Sequence, residues 1–182
     1  MSRDRTNMNP GRAAWARPLA AAVACAGALA YTVSKVDLAR REELGMPGFP
    51  APQSSYAGRS GSDVLSAQLG NAGLGLGMAA VALLLLLPLT GRLVRWTVWA
   101  VSWTGIAMVT AGVVGFTARA TGAAPGLGEP PPHPAPAVAA LVVGAVWAAA
   151  WIVVTVGSMR RPRTVPAGRS PARPRPEALT SR

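Results

Sequence analysis

Cysteine and histidine are almost missing from this sequence. The chain contains one cysteine, Cys25, and one histidine, His133. A single cysteine forms no disulfide within the chain, and these two residues are too few for a zinc site built from the usual Cys and His ligands. The sequence therefore suggests no metal and no other cofactor. One alternative stays open, a hard-cation site formed by Asp37, Glu42, Glu43 and His133.

Charge is also scarce, and it is unevenly placed. Only 14% of the residues are charged and 51% are apolar, whereas about 25% of the residues in an average soluble domain are charged. Residues 64–91, 96–118 and 130–159 contain no Asp, Glu, Lys or Arg. Blocks of this length favour a lipid environment. We therefore predict an all-α fold, an integral membrane four-helix bundle with short loops and a disordered basic C-terminal tail.

The hydropathy pattern divides the chain into four predicted spans. A helix over 69–89 rises about 31 Å, close to the thickness of the hydrocarbon core of a bilayer. Ser60 and Asp63 match the S-x-x-D start signal of a helix ahead of this span. The predicted spans, which together make up a transmembrane domain over residues 14–158, are 14–35, 69–89, 93–117 and 137–158.

The first span has two alternative interpretations. The triplet Ala28–Ala30, after a basic start and an apolar stretch, resembles the end of a cleavable signal peptide. Val23–Cys25 is a weak match to a lipoprotein processing site. We favour a retained helix because the helical pattern continues past both, with Asp37 and Arg41 spaced for an i,i+4 ion pair. Gly45 then fits the position that follows a helix C-terminus.

Basic residues are concentrated on one predicted side of the membrane. With four spans, thirteen of the eighteen Lys and Arg residues fall on the side that holds both termini and the 90–95 turn. The positive-inside rule makes this side cytoplasmic, so we predict a multi-pass protein of the cell membrane. Residues 1–13 and 159–182 are then cytoplasmic, and residues 36–68 and 118–136 are extracellular loops.

The net charge of +11 is explained by this distribution. Anionic lipid headgroups attract basic residues that lie near the membrane surface. The predicted lipid contacts are Arg92, Arg95, Arg160, Arg161 and Arg163. We expect no nucleic-acid partner, because no aromatic residue lies among the arginines of the tail to stack on bases.

Small residues and tryptophans suggest how the spans contact each other and the bilayer. Small residues four apart let helices approach closely, and the predicted packing residues are Gly73, Gly77, Ala111, Gly115, Ala140, Gly144 and Ala148. Residues 75–80 also fit GxGxxA, but no strand precedes them, which argues against phosphate binding. The predicted interfacial anchors are Trp15, Tyr31 and Trp96. Trp103 and Trp147 lie deeper, where we expect them to fill the bundle or, alternatively, to line a quinone or lipid site.

The spans contain few groups that perform catalysis. No carboxylate or histidine lies inside them, and Lys35 only marks the end of the first, which argues against a proton relay or ion-coupling site. We therefore expect a small non-enzymatic membrane protein with a structural, accessory or partner-binding role. Its partners would be the lipid bilayer and a second copy of the chain or another membrane protein. The alternatives are an oligomeric transporter or channel subunit, and an extracellular-loop receptor or metal-binding enzyme.

A resemblance to a known group of proteins comes from residues 31–52. Tyr31, Ser34–Val36 and Leu44–Pro52, followed by a four-span hydropathy pattern, resemble small actinobacterial integral membrane proteins. The similarity covers residues 30–120. It implies a multi-pass membrane protein, and it implies no activity, cofactor or catalytic residue.

Overall fold

The computed structural model describes residues 10–160, with side chains from Trp15 onward. Its helices are α1 (Pro10–Arg40), α2 (Gly61–Leu84), α3 (Arg92–Ala120) and α4 (Pro134–Met159). All four are long and apolar enough to cross a membrane, which confirms the prediction of four helices of spanning length. The predicted C-terminal tail from residue 161 and the predicted N-terminal segment before residue 10 lie outside the described residues.

α1 ends earlier than the sequence predicts. The helix stops at Arg40, and Glu42 adopts a left-handed conformation with φ of 54°. The amide N–H of Glu42 donates to the Ala39 carbonyl, and that of Glu43 donates to the Leu38 carbonyl. These two bonds form the Schellman arrangement that closes a helix C-terminus. Glu42 therefore occupies the position that the sequence predicts for a glycine, and the expected helix end at Gly45 is wrong.

Gly45 instead belongs to a short β-hairpin in the connection between α1 and α2. β1 (Gly45–Met46) pairs antiparallel with β2 (Phe49–Pro50), and Gly45 lies opposite Pro50. The Pro47-Gly48 turn suits this geometry, since Pro presets φ and Gly48 has a φ of 80°. Two 3₁₀ turns complete the connections, at Gln53–Tyr56 and Pro125–Leu127.

The start of α2 follows the predicted signal. The Ser60 hydroxyl accepts from the Asp63 amide at 3.3 Å, and the Asp63 carboxylate accepts from the Ser60 amide at 2.8 Å. This capping box confirms the helix start deduced from the sequence, and it lies before the predicted span of 69–89. The helix ends at Leu84 because Pro88 has no N–H to donate to the Leu84 carbonyl, and its ring would clash with that carbonyl in a continued helix.

α1 and α4 form the centre of the bundle. α1 packs against α2 on one side and α4 on the other, α4 also packs against α3, and α2 and α3 contact each other little. Ala21, Ala24 and Ala28 of α1 are fully buried and allow a close approach. The large rings of Trp147 and Trp151 from α4 fill the space that these small residues leave.

The predictions for the two deeper tryptophans, Trp103 and Trp147, have opposite outcomes. Trp147 is 5% exposed and stacks on Trp151 with ring centroids 6.0 Å apart, as a bundle-filling residue should. Trp103 is 40% exposed and lies on the outer face of α3. A polar contact of α3 with α4 comes from Ser102, whose hydroxyl bonds to that of Thr155 at 2.7 Å with both residues fully buried.

Candidate functional site

The connection between α1 and α2 covers one end of the bundle. We call residues 41–60 the hairpin loop, and the bundle end that they cover the loop end. The hairpin loop touches all four helices, since the Gly48 backbone lies against the start of α4 at Ala137. The other three helices each send one buried polar side chain to it: Lys35, Gln68 and Arg119.

Lys35 comes from the last turns of α1. Its side chain is 7% exposed, and Nζ donates to the Gly45 carbonyl at 2.6 Å. The ammonium also lies 5.3 Å from the centroid of the Tyr31 ring, within cation–π range. A buried cation must be compensated by polar groups. Here a loop carbonyl and an aromatic face provide that compensation.

Gln68 comes from the first half of α2. It is 1% exposed, and Nε2 donates to the Glu43 carbonyl at 2.6 Å. Its Oε1 is buried without a hydrogen-bond partner among the described residues. The next loop residue is held as well, because the Leu44 amide donates to the Tyr56 hydroxyl at 2.8 Å. α2 and the 3₁₀ turn thus hold the two residues that lead into β1.

Arg119 comes from the end of α3 and joins both connections at the loop end. Its side chain is 6% exposed; Nη2 donates to the Pro50 carbonyl at 2.9 Å and Nε donates to the Glu129 carbonyl at 2.8 Å. The guanidinium also lies 5.7 Å from the ring centroid of Phe49, which is fully buried. The Phe49 ring packs on Phe116 with centroids 5.0 Å apart.

These contacts make the hairpin loop a fixed part of the fold. Lys35 and Arg119 bind the carbonyls of Gly45 and Pro50, which lie opposite each other in the hairpin. Hydrogen bonds from charged groups contribute about 1.5–3 kcal/mol each. The sequence alone marks Lys35 only as the end of the first span, and it singles out neither Gln68 nor Arg119. The available signal was a long polar side chain close to one end of each of the first three predicted spans.

A pocket of about 350 Å³ lies between the hairpin loop and α3. Ala111, Gly112 and Gly115 form its helix side, and Phe49 and Arg119 lie at its loop side. Ala111 and Gly115 were predicted to pack against another helix. The structure places them in this pocket instead, where the nearest atom to a side chain added at Gly115 belongs to Leu127.

The other predicted packing residues divide between interface and surface. In α4, Gly144 approaches Val113 of α3, Ala148 is 8% exposed and Ala140 is partly buried. In α2, Gly73 and Gly77 have no atom within 4 Å of an added Cβ and lie on the outer face. They do not pack within this chain.

The small residue of α2 that faces α1 is Gly75. A side chain there would collide with the Thr32 hydroxyl and the Tyr31 ring. The same Thr32 hydroxyl donates to the Ala72 carbonyl of α2 at 3.3 Å, so this contact also bonds the two helices. Within this chain, the packing glycine of α2 is therefore Gly75, which lies between the predicted pair Gly73 and Gly77.

Two of the three predicted anchors are exposed. Trp15 is 75% exposed and Trp96 is 56% exposed, so both rings are accessible on the outside of the bundle. Tyr31 is different, because its ring packs against Trp147 with centroids 5.8 Å apart and is half buried. Tyr31 is therefore a packing residue of the α1–α4 interface rather than a surface anchor.

The opposite end of the bundle carries the predicted lipid-binding arginines. The Arg95 guanidinium lies 5.4 Å from the Trp99 ring, and the Trp99 Nε1 donates to the Ser158 hydroxyl at 3.1 Å. Arg92 and Arg160 are exposed. Arg161 and Arg163 lie outside the described residues. This end also holds Arg17, whose guanidinium donates to the Leu85 carbonyl.

The acidic residues near the loop end do not form a metal site. Asp37 pairs with Arg41 at 3.0 Å, which confirms the predicted i,i+4 ion pair. Within residues 10–160, no three His, Cys, Asp or Glu side chains lie together in a way that could hold a metal ion.

Comparisons of the chain with protein-family models, with curated proteins and with solved structures find no match.

Proposed function

We propose that this chain is a small non-enzymatic protein of the cell membrane that holds the hairpin loop at the membrane surface for a protein partner. Membrane insertion is supported by the outer surface of the bundle. Large apolar side chains are exposed on every helix, including Leu19, Leu74, Val114 and Val142. A soluble monomer rarely exposes continuous apolar surface of this extent, whereas hydrocarbon solvates it.

The partner-binding role rests on one observation, the attachment of the hairpin loop to three helices by Lys35, Gln68 and Arg119. Ordering a connection of this kind costs backbone entropy of about 1–2 kcal/mol per residue. If the connection only joined two spans, it could remain flexible, and no buried cations would be needed to offset this entropy cost. A rigid surface, in contrast, binds a partner without paying the ordering cost at the time of binding.

The proposed orientation places the hairpin loop outside the cell and both termini inside. It is supported by the thirteen basic residues on the side of the termini. Labelling of intact cells with a membrane-impermeant maleimide, after Cys25→Ser, tests it. We expect Ser54→Cys in the loop to react and Ser170→Cys in the tail to react only after lysis. The reverse pattern would show that the topology is inverted.

Site-specific photocrosslinking in native membranes tests the partner. The crosslinker is placed at Gln53 or Arg59, which are exposed on the hairpin loop, and at Val142 on the outer face of α4 as the matched control. We expect both loop positions to trap the same protein and Val142 to trap lipid. Substrate flux or turnover by the purified chain in liposomes, without a partner, would contradict the proposal.

A second candidate, an oligomeric transporter or channel subunit, is favoured by the outer face of α2. Gly70, Gly73 and Gly77 all lie there without a neighbouring atom within 4 Å of an added Cβ. A second copy could approach this surface closely. A strictly monomeric state in native-like lipid would exclude this candidate. The relationship to small actinobacterial membrane proteins is likewise part of the proposal.

A further inference from the structure

The pocket beside Arg119 has a flat apolar side. Gly112 and Gly115 leave the surface of α3 without side chains over one turn, and an added Cβ at Gly112 would meet no atom within 4 Å. Ala111, below them on the same helix, is exposed. Phe49 and Phe116 form the aromatic wall at the loop side. The pocket therefore continues from the loop end along the outer face of α3.

The polar end of this pocket carries unneutralised positive charge. A guanidinium has five N–H donors, and Arg119 uses Nε and one N–H of Nη2 for the two loop carbonyls. Among residues 10–160, the ion pair formed by side chains is Arg41–Asp37, so no carboxylate pairs with Arg119. Lys35 brings a second cation to the same rung of the hairpin. An anion in the pocket would offset the cost of burying the Arg119 charge.

The spacing of the charged and apolar parts suits one class of molecule. Eight residues of helix separate Ala111 from Arg119, a rise of about 12 Å. In a bilayer, this places the guanidinium at the headgroup level and the glycine surface beside the acyl chains. A free inorganic anion would match the guanidinium but would leave the apolar side of the pocket empty.

We propose that this pocket binds an anionic phospholipid, with its phosphate on Arg119 and one acyl chain along Ala111, Gly112 and Gly115. The proposal rests on the membrane insertion proposed above. The lipid would seal the gap between the hairpin loop and α3 and would hold the loop against the bundle. The site lies at the loop end, away from Arg92 and Arg95, which the sequence marks as lipid contacts.

Native mass spectrometry of the detergent-solubilised full chain tests this proposal. Phosphatidylglycerol and phosphatidylcholine of matched chain length are titrated, and the bound fraction is measured. We expect the wild type to bind phosphatidylglycerol more tightly than phosphatidylcholine. Arg119→Gln should bind phosphatidylglycerol about tenfold more weakly than the wild type does, because it loses a hydrogen bond between charged groups. Gly112→Leu fills the apolar side without touching the guanidinium, and we expect it to remove the preference. Gly73→Leu, at an equally open glycine on α2, is the matched control and should bind like the wild type.

Several outcomes would overturn the proposal. The first is equal binding of the two lipids by the wild type. The second is wild-type binding by both Arg119→Gln and Gly112→Leu. The third is a loss of lipid binding in Gly73→Leu as large as that in Gly112→Leu. Complete displacement of the lipid by excess inorganic phosphate, independent of acyl chain length, would assign the site to a free anion instead. If Arg119→Gln does not fold, the lipid preference of Gly112→Leu still tests the proposal. A chain that stays in membranes without this preference refutes the lipid site alone, whereas a soluble chain refutes the membrane function.

Discussion

Phe49→Ala is the most direct perturbation of the hairpin loop. The Phe49 side chain is fully buried, and its ring contacts both Phe116 and the Arg119 guanidinium. It is the one large apolar side chain of the loop that is fully buried within the described residues. Its removal leaves a cavity at the point where the loop meets α3. The helices themselves lose no contact with one another.

The expected size of the effect follows from the buried ring. Phe→Ala substitutions in protein cores cost about 3–5 kcal/mol. We expect most of this cost to fall on the local opening of the loop. The Ala51 amide, which donates to the Leu44 carbonyl at 3.1 Å, exchanges its hydrogen only when the hairpin opens. A loss of about 3 kcal/mol in the opening free energy makes this exchange about 100-fold faster.

Hydrogen exchange of the protein in lipid nanodiscs, measured by mass spectrometry, checks this value. The informative peptide covers residues 44–56. Leu74→Ala, which removes an apolar side chain 53% exposed on α2, is the control and should leave loop exchange unchanged. Unchanged exchange in Phe49→Ala would refute the idea that this ring anchors the loop. Equal acceleration in all four helices would show that the ring supports the whole bundle instead.

Three further substitutions test the helix contacts, with unfolding in detergent followed by the reactivity of the single cysteine thiol. Ser102→Ala removes the bond to the Thr155 hydroxyl, which still donates to the Trp151 carbonyl, and should cost about 0.5–1.5 kcal/mol; an equal loss in a Thr155→Val background would show that the bond contributes nothing. Gly75→Leu should destabilise the α1–α2 interface by about 1–3 kcal/mol, whereas Gly73→Leu should have no effect, and equal effects would refute the assigned interface. Ser60→Ala should shift the midpoint by about 1 kcal/mol through loss of the helix cap, and an unchanged midpoint would show that the cap is dispensable.

The four helices could be predicted because their signal depends only on composition and length. Residues 64–91 and 96–118 have no charge over distances that match a bilayer. The start of α2 could be predicted too, because a capping box depends on residues three apart. These features are local, so one sequence contains the whole of their physical cause.

The helix faces could not be predicted in the same way. From Ala72 to its end, α2 has only apolar or small residues on all sides, so no polar stripe shows which face meets a neighbour. Gly73, Gly75 and Gly77 look equivalent in sequence, and only Thr32 on α1 distinguishes Gly75. The attachment of the hairpin loop is also non-local, since Arg119 binds a carbonyl 69 residues away. Such contacts depend on the assembled bundle and not on any short motif.

The central position of α4 has a consequence for how the protein is made. α2 and α3 are neighbours in the chain but contact each other little, whereas α1 needs the tryptophans of α4 to complete its contacts. Synthesis proceeds from the amino end, so α1 can pack against α2 while its Gly27 face, which the Trp147 ring covers in the complete fold, stays open until α4 is made. α4 therefore completes the core, and a chain truncated before Pro134 would keep the α1–α2 contact but lose most of the packing that joins α3 to the other helices.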